Sequence, residues 1–171
     1  PYSAHPAFDK ACARGFKGRL LMAGDGPWRA PCEDVLNRIA HRDRVEMLGA
    51  VSRERAAELR RQAHIFTMHN RLGPVTNQQE SFGVAVAEAM GQGMPVVLGR
   101  HGGPAEFVEH EKTGLLFEPG DVDAHAQALL RLQSDPQLRK RLGRAAWSHV
   151  RDHYTIEHER RRLMEILNLD A

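Results

Sequence analysis

The sequence predicts an α/β fold built on a doubly wound, Rossmann-like parallel sheet, and three observations carry that expectation. Short apolar runs alternate with segments of helical periodicity along almost the whole chain. The runs are near-continuously apolar, as strands covered on both faces are, and Gly and Pro punctuate the boundaries. Phe8, Ala11, Cys12 and Phe16 recur at helical spacing and predict a helix over 6–16. A strand over 19–23 follows, closed by the turn Gly24-Asp25-Gly26-Pro27. Val35, Leu36, Ile39 and Ala40 form the next helical stripe, and 45–49 the second strand. Ser52 caps a helix that runs to Ala63, a third strand spans 65–68, and the polar stretch 69–79 shows no clear period. Apolar residues suit a helix from Phe82 to Gln92, stopped by Gly93, before strands at 95–98 and 114–117. Helices over 123–133, 136–153 and 156–169 close the chain, with Asp135 as an N-cap and Pro136 at a first helical position.

Composition narrows the class. The 171 residues, 42% hydrophobic and 27% charged with net charge +2, make one domain, 1–171, able to bury a sizeable core without disulfides or a structural metal. Cys12 and Cys32 have no second pair with which to build a metal or redox motif and read as ordinary thiols. No apolar stretch is long enough for a membrane span and no signal peptide opens the chain, so a cytoplasmic location is expected. The arginines are scattered, not interleaved with aromatics, which argues against nucleic acid as a partner. Because the chain opens at Pro1, it is expected to be a piece of a longer one.

The most informative stretch is Glu80-Ser81-Phe82-Gly83-Val84, followed at a spacing of a little over two helical turns by Glu88. Glu80, in the loop, and Glu88, on the helix, can reach one ligand from nearly the same side. Unpaired N–H groups and the positive dipole end at Phe82, Gly83 and Val84 favour an anionic or hydroxyl-rich ligand there. On spacing alone the plainer assignment, a capping Glu80 and a solvated Glu88, is favoured.

Further motifs change that balance. Glu80-Ser81-Phe82-Gly83 with Glu88-Ala89-Met90, then Gly93-x-Pro95-Val96-Val97, Gly102-Gly103-x-x-Glu106 and Thr113-Gly114-Leu115-Leu116 occur in order. Gly24-Asp25-Gly26-Pro27 and Leu48-Gly49-x-Val51 precede them, also in order. Together, from about Gly18 to Tyr154, they resemble the C-terminal, donor-binding domain of group 1 retaining glycosyltransferases of the GT-B type. The resemblance implies a hexosyltransferase-like transfer of a sugar from a nucleoside diphosphate to an acceptor hydroxyl with retained anomeric configuration, without cofactor or metal. It implies that Glu80 bonds the donor-sugar hydroxyls and that Ser81, Phe82, Gly83 and Val84 lie along the sugar and diphosphate. Glu88 would accept the ribose hydroxyls, the backbone of Val51 would lie against the base, and Gly102 and Gly103 would let the chain pass close to the sugar. A bidentate carboxylate suits two O–H donors.

Other signals have plainer readings. Asp121-Val122-Asp123 matches a metal-binding pattern but opens a helix, so capping is favoured. Gly24-Asp25-Gly26 lacks the third glycine of a dinucleotide fingerprint. His149 and His153 lie on one helix face without an evident third zinc ligand and read as solvated. Arg160, Arg161 and Arg162 form the charged side of a helix whose apolar side is Ile156, Leu163, Ile166 and Leu167.

The same resemblance marks what is lacking. The family's phosphate-binding Arg and Lys follow its first strand, whereas Lys17 and Arg19 run directly into the strand resembling the second. The first strand and the N-terminal acceptor domain, with its sugar, lipid or other hydroxyl acceptor, are therefore expected to lie outside this chain, and the fragment to be a poor catalyst. In the usual order 3-2-1-4-5-6 the first strand is central. Its absence leaves either a direct pairing of 20–23 with 65–68 or a slot. The alternative function is a non-catalytic module that holds a nucleotide or nucleotide sugar. An epimerase on the same plan would need catalytic carboxylates that the sequence does not reveal.

Overall fold

The computed structural model describes residues 3–70, 72 and 80–169. Most of the polar stretch 69–79 lies outside the described residues. The described elements run α1 (Ala4–Ala13), β1 (Leu20–Ala23), α2 (Arg29–Leu36), β2 (Val45–Gly49), α3 (Arg53–Gln62), β3 (Phe66–Met68), α4 (Val84–Gly91), β4 (Val96–Gly99), α5 (Pro104–Phe107), β5 (Leu115–Phe117), α6 (Val122–Ser134), α7 (Pro136–His153) and α8 (Ile156–Ile166). All pairings among the named strands are parallel. The fold is the expected parallel α/β sheet of a doubly wound domain.

Helices cover both faces of the β3-β4-β5 sheet, and the alternation of side chains along its strands divides the core. Val97, Leu115 and Phe117 pack against Phe8 and Ala11 of α1, Ala126, Leu129 and Leu132 of α6, and Leu138 and Leu142 of α7. Val96, Leu98 and Leu116 pack the other way, against Val86, Ala89 and Met90 of α4, Phe107 of α5 and Ala146 of α7. β4, paired on both edges, is fully buried.

The sheet is interrupted. Among the described residues β1 pairs only with β2, and β3 pairs with β4, so β1 and β3 do not pair with each other. Of the two possibilities open at sequence level, the chain adopts the slot. A cleft of about 1230 Å³ runs along it, lined by Leu20–Ala23 on one side and by Ile65–Met68 on the other.

Boundaries differ from the sequence expectations where tertiary contacts or backbone geometry intervene. The first helix begins at Ala4 and ends at Ala13. α2 starts at Arg29 and stops at Leu36, before Ile39 and Ala40. The Asp9 carboxylate accepts the His41 N–H at 2.8 Å and bonds the His41 ring Nδ1 at 2.8 Å, tying the chain beyond Ala40 to α1. Gly83, at φ +82°, breaks the register before α4, so Phe82 lies outside the helix. The short α5 had no apolar period by which to be read. The N-caps Ser52, Asp121 and Asp135 accept from the N–H groups of Arg55, Ala124 and Leu138.

The last helix corrects an expectation. The apolar side of α8 finds no core: Ile156 is 82% and Ile166 76% exposed. Among the described residues no helix is long and apolar enough to cross a membrane.

Candidate functional site

In a parallel sheet the loops that can hold a ligand gather where the strands end. Here the exits of β1, β2 and β3 converge on one end of the cleft. Gly24 and Asp25 after β1, Ala50 and Val51 after β2, and His69 and Asn70 after β3 line it, with Glu80 and Ala85 closing the third side. The Gly24 N–H donates to Gly49 O at 2.8 Å, so the first two exits form one wall.

The start of α4 is built around Glu80. Its Oε1 accepts the Gly83 N–H at 3.1 Å, and the Gly83 carbonyl accepts the N–H groups of Val86 and Ala87 at 2.8 and 3.1 Å. Of the orphan donors at this helix start, those of Val84 and Ala85 are left among the described residues, and both residues are exposed. Ser81 and Phe82 are exposed too, and the Phe82 ring stacks on Phe107 with centroids 5.3 Å apart. The capping role that spacing alone suggests for Glu80 is thus observed, and among the described residues its other carboxylate oxygen has no hydrogen-bond partner.

Gly102 and Gly103 approach the Glu80–Phe82 segment itself. The Gly103 N–H donates to Glu80 O at 2.9 Å. A Cβ on Gly102 would stand 2.5 Å from Glu80 O, and one on Gly103 would stand 1.8 Å from Ser81 O. The close passage expected of these glycines is therefore made, in this structure, against the loop that carries the candidate carboxylate. Gly103→Ala is expected to cost about 2–3 kcal/mol, because backbone on both sides cannot yield, and to lower the melting temperature by about 5–10 °C. Gly120→Ala, where nothing lies within 4 Å and only the φ of +91° opposes a side chain, is the control, at about 1–2 kcal/mol. Equal melting temperatures for the two variants would refute the clasp.

Glu88 stands one turn into α4 and forms an ion pair with Arg60 of α3, Nη2 to Oε2, at 2.8 Å. Arg60 lines the cleft, and its side chain is only 13% exposed. Sequence reasoning did not find Arg60, one of two adjacent arginines in a polar helix, because nothing in the spacing distinguishes it from Arg61.

Two further residues, at and behind the floor of the cleft, lie outside the sequence expectations. His69 and His125 are buried and form a hydrogen-bonded chain. The Gly120 N–H donates to His69 Nε2 at 3.0 Å, which makes His69 Nδ1 the protonated nitrogen, and that nitrogen lies 3.2 Å from His125 Nδ1. His125 Nε2 then carries its proton toward Thr67 Oγ1 at 2.6 Å, and Thr67 donates to Val97 O at 2.9 Å. Every donor has one acceptor only if both rings are neutral. Burial pushes His69 down to about 4 and His125 down to about 3, with His69 adding to the effect on His125. The sequence signal was a histidine within the apolar stripe of α6.

The remaining candidates take structural roles. Asp121 caps α6, and Asp123 bonds Lys10 at 2.6 Å and Arg14 at 2.5 Å, which hold its carboxyl below the usual range. His149 is half-buried against Tyr154, with ring centroids 5.4 Å apart, instead of solvated. Among the described residues no group of three or more His, Cys, Asp or Glu is placed to hold a metal ion. Arg19 bonds Glu46 at 3.4 Å at the start of β1, the opposite end of the cleft from the strand exits.

A family model of group 1 glycosyl transferases matches residues 6–149. An N-acetyl-alpha-D-glucosaminyl L-malate synthase of Bacillus anthracis is 30% identical over 139 residues, 81% of this chain and 34% of that protein. A GDP-mannose-dependent monoacylated alpha-(1-6)-phosphatidylinositol monomannoside mannosyltransferase of Corynebacterium glutamicum is 32% identical over 151 residues, 87% of this chain and 38% of its own. Among solved structures, Anabaena HepE in complex with UDP superposes with a TM-score of 0.83 at 22% identity, over 99% of this chain and 46% of that one. The chain spans about a third of the length of the curated relatives it matches.

Proposed function

Because the chain belongs to the group 1 glycosyltransferase family, we propose that it is the donor-binding half of a two-domain GT-B enzyme that moves a sugar from a nucleoside diphosphate to an acceptor hydroxyl with retention of configuration. The observation that carries this reading is the convergence, at the ends of three parallel strands, of Glu80 with Ala85 at the start of α4, whose first N–H groups, those of Val84 and Ala85, are open. A helix start offers N–H donors and a positive dipole end to a diphosphate, while a carboxylate beside it takes sugar hydroxyls. In this reading the backbone of Val51, on the opposite wall, would lie against the base and Glu88 would accept the ribose hydroxyls. That the solved HepE structure holds UDP agrees with a nucleotide donor of this class.

Transfer builds negative charge on the departing diphosphate, and fixed cationic donors must meet it. Among the described residues neither arginine of the cleft is placed to do so, because Arg19 lies at the wrong end of the strands and Arg60 is engaged by Glu88. The same observation favours a second reading for the 171 residues taken alone, a module that holds the donor without turning it over. Acceptor recognition belongs to the other half.

Donor binding is proposed to need no metal, since Asp121 and Asp123 are committed to capping and to Lys10 and Arg14. Calorimetric titration with UDP-glucose and with GDP-mannose tests both points. One of the two is expected to bind, with an affinity unchanged by a chelator. Binding abolished by the chelator would contradict metal independence, and binding of neither would contradict the donor reading.

A further inference from the structure

Among the described residues two arginines line the cleft, and they differ in kind. Arg19 is exposed at the start of β1, whereas Arg60 is enclosed between α3 and α4, forms an ion pair with Glu88 Oε2 at 2.8 Å, and has its Nε–H buried without an acceptor. As a stabilising device this is a poor arrangement. A guanidinium taken out of water, given one ion pair with a half-exposed carboxylate and left with an orphaned donor, does worse than an apolar side chain of the same volume. Positions that break the rules of packing in this way mark functional sites more often than structural ones.

We propose that Arg60 is a positioning residue for donor recognition, fixing the Glu88 carboxylate in the orientation that accepts the ribose hydroxyls. The inference rests on the reading of Glu88 as the ribose acceptor. A carboxylate has about four lone-pair sites and Arg60 approaches Oε2 alone, so two O–H donors are still accommodated. Without Arg60, the side chain of Glu88, 47% exposed, is released to solvent and must be ordered by each ligand that binds. The guanidinium is rigid and points a fixed fork, which a lysine ammonium reproduces only as a charge.

The test separates a positioning role from a structural one by using the ligand as the second mutation. Dissociation constants are measured for UDP and for its 2′,3′-dideoxy form, and likewise for GDP and its dideoxy form, on the unmutated chain, Arg60→Met, Arg60→Lys and Glu88→Ala. The unmutated chain is expected to prefer the ribose form by about tenfold or more, since a site built for hydroxyls rejects a ligand lacking them. Arg60→Met, which keeps the buried stem, should bring that preference to about threefold or less while leaving the dideoxy affinity in place, with Arg60→Lys intermediate. A preference unchanged in Arg60→Met but lost in Glu88→Ala overturns the role of Arg60 alone. A preference unchanged in Glu88→Ala, or no binding of either nucleotide by the unmutated chain, overturns the ribose reading beneath it. Should Arg60→Met fail to fold, Arg60→Lys decides, and an unchanged preference there overturns the proposal.

Discussion

A strand supplied to the slot between β1 and β3 raises the melting temperature of the chain by about 6–12 °C, on the scale of ~2–4 °C per kcal/mol at this size. Each of these two strands pairs on one edge only, and the cleft between them presents Leu20, Met22, Ile65 and Phe66, all half-buried. A strand laid parallel between them would complete two ladders and cover those side chains, at roughly 25 cal/mol for each Å² of apolar surface removed from water. Against this stands the cost of ordering the added residues, about 1–2 kcal/mol each, so the expected net gain is about 3 kcal/mol. The comparison is between the 171-residue chain and one extended upstream by about 20 residues of parental sequence, a strand of typical length and its loop. The open slot is expected to bind a hydrophobic dye and the extended chain to bind much less, because unpaired edges and apolar faces are what such dyes report. Equal melting temperatures would mean that the slot is not a strand site.

Acid should unfold the chain earlier than its carboxylates alone require. In the unfolded state His69 and His125 take up protons at ordinary histidine values near 6.5, whereas in the fold they stay neutral down to about 4 and about 3. Between those values the unfolded state binds more protons, so stability is fully present above about pH 6.5 and falls as the pH drops toward 4. A tenfold change in proton affinity corresponds to about 1.4 kcal/mol, and the two rings share one chain of bonds, so the loss is on the order of 4 kcal/mol. Burial dominates for both rings; Asp121 opposes it slightly at His69. Below pH 4 the carboxyls of Asp9, Glu111 and Asp123, all held low by their partners, add their own losses. Urea unfolding at several pH values checks this, with a His69→Gln, His125→Gln variant as the comparison. The slope between pH 6.5 and 4 should flatten in the variant, leaving a smaller dependence from buried His5. An unchanged slope would show that the pair does not stay neutral in the fold.

What was legible in the sequence, and what was not, divides along physical lines. The α7 boundaries were readable because Asp135 and Pro136 mark a helix start with local chemistry, and β4 because Val96-Val97-Leu98 is continuous enough for a strand buried on both faces. The grouping of Glu80, Gly83 and Glu88 was readable for the same reason, since the three lie close in sequence around one helix start. The contacts that set the rest are long-range. Asp9 holds His41, beyond the end of α2, from 32 residues away, Arg60 meets Glu88 across two helices, and the histidine chain joins β3, α6 and the loop at Gly120. Nor does periodicity show whether an amphipathic helix has a partner. The sequence of α8 is that of a packed helix, yet its apolar side stands open.

Whether a nucleotide donor binds at the start of α4 is decided by following the backbone amide resonances of the isotope-labelled chain during titration with UDP-glucose and, in parallel, GDP-mannose. The largest shifts are expected on Val84 and Ala85, whose N–H groups are open, with further shifts at Val51 and Glu88 around the same end of the cleft. Shifts confined to the separate groove lined by His153, His158 and Arg161, with Val84 and Ala85 unmoved, would contradict donor binding at α4.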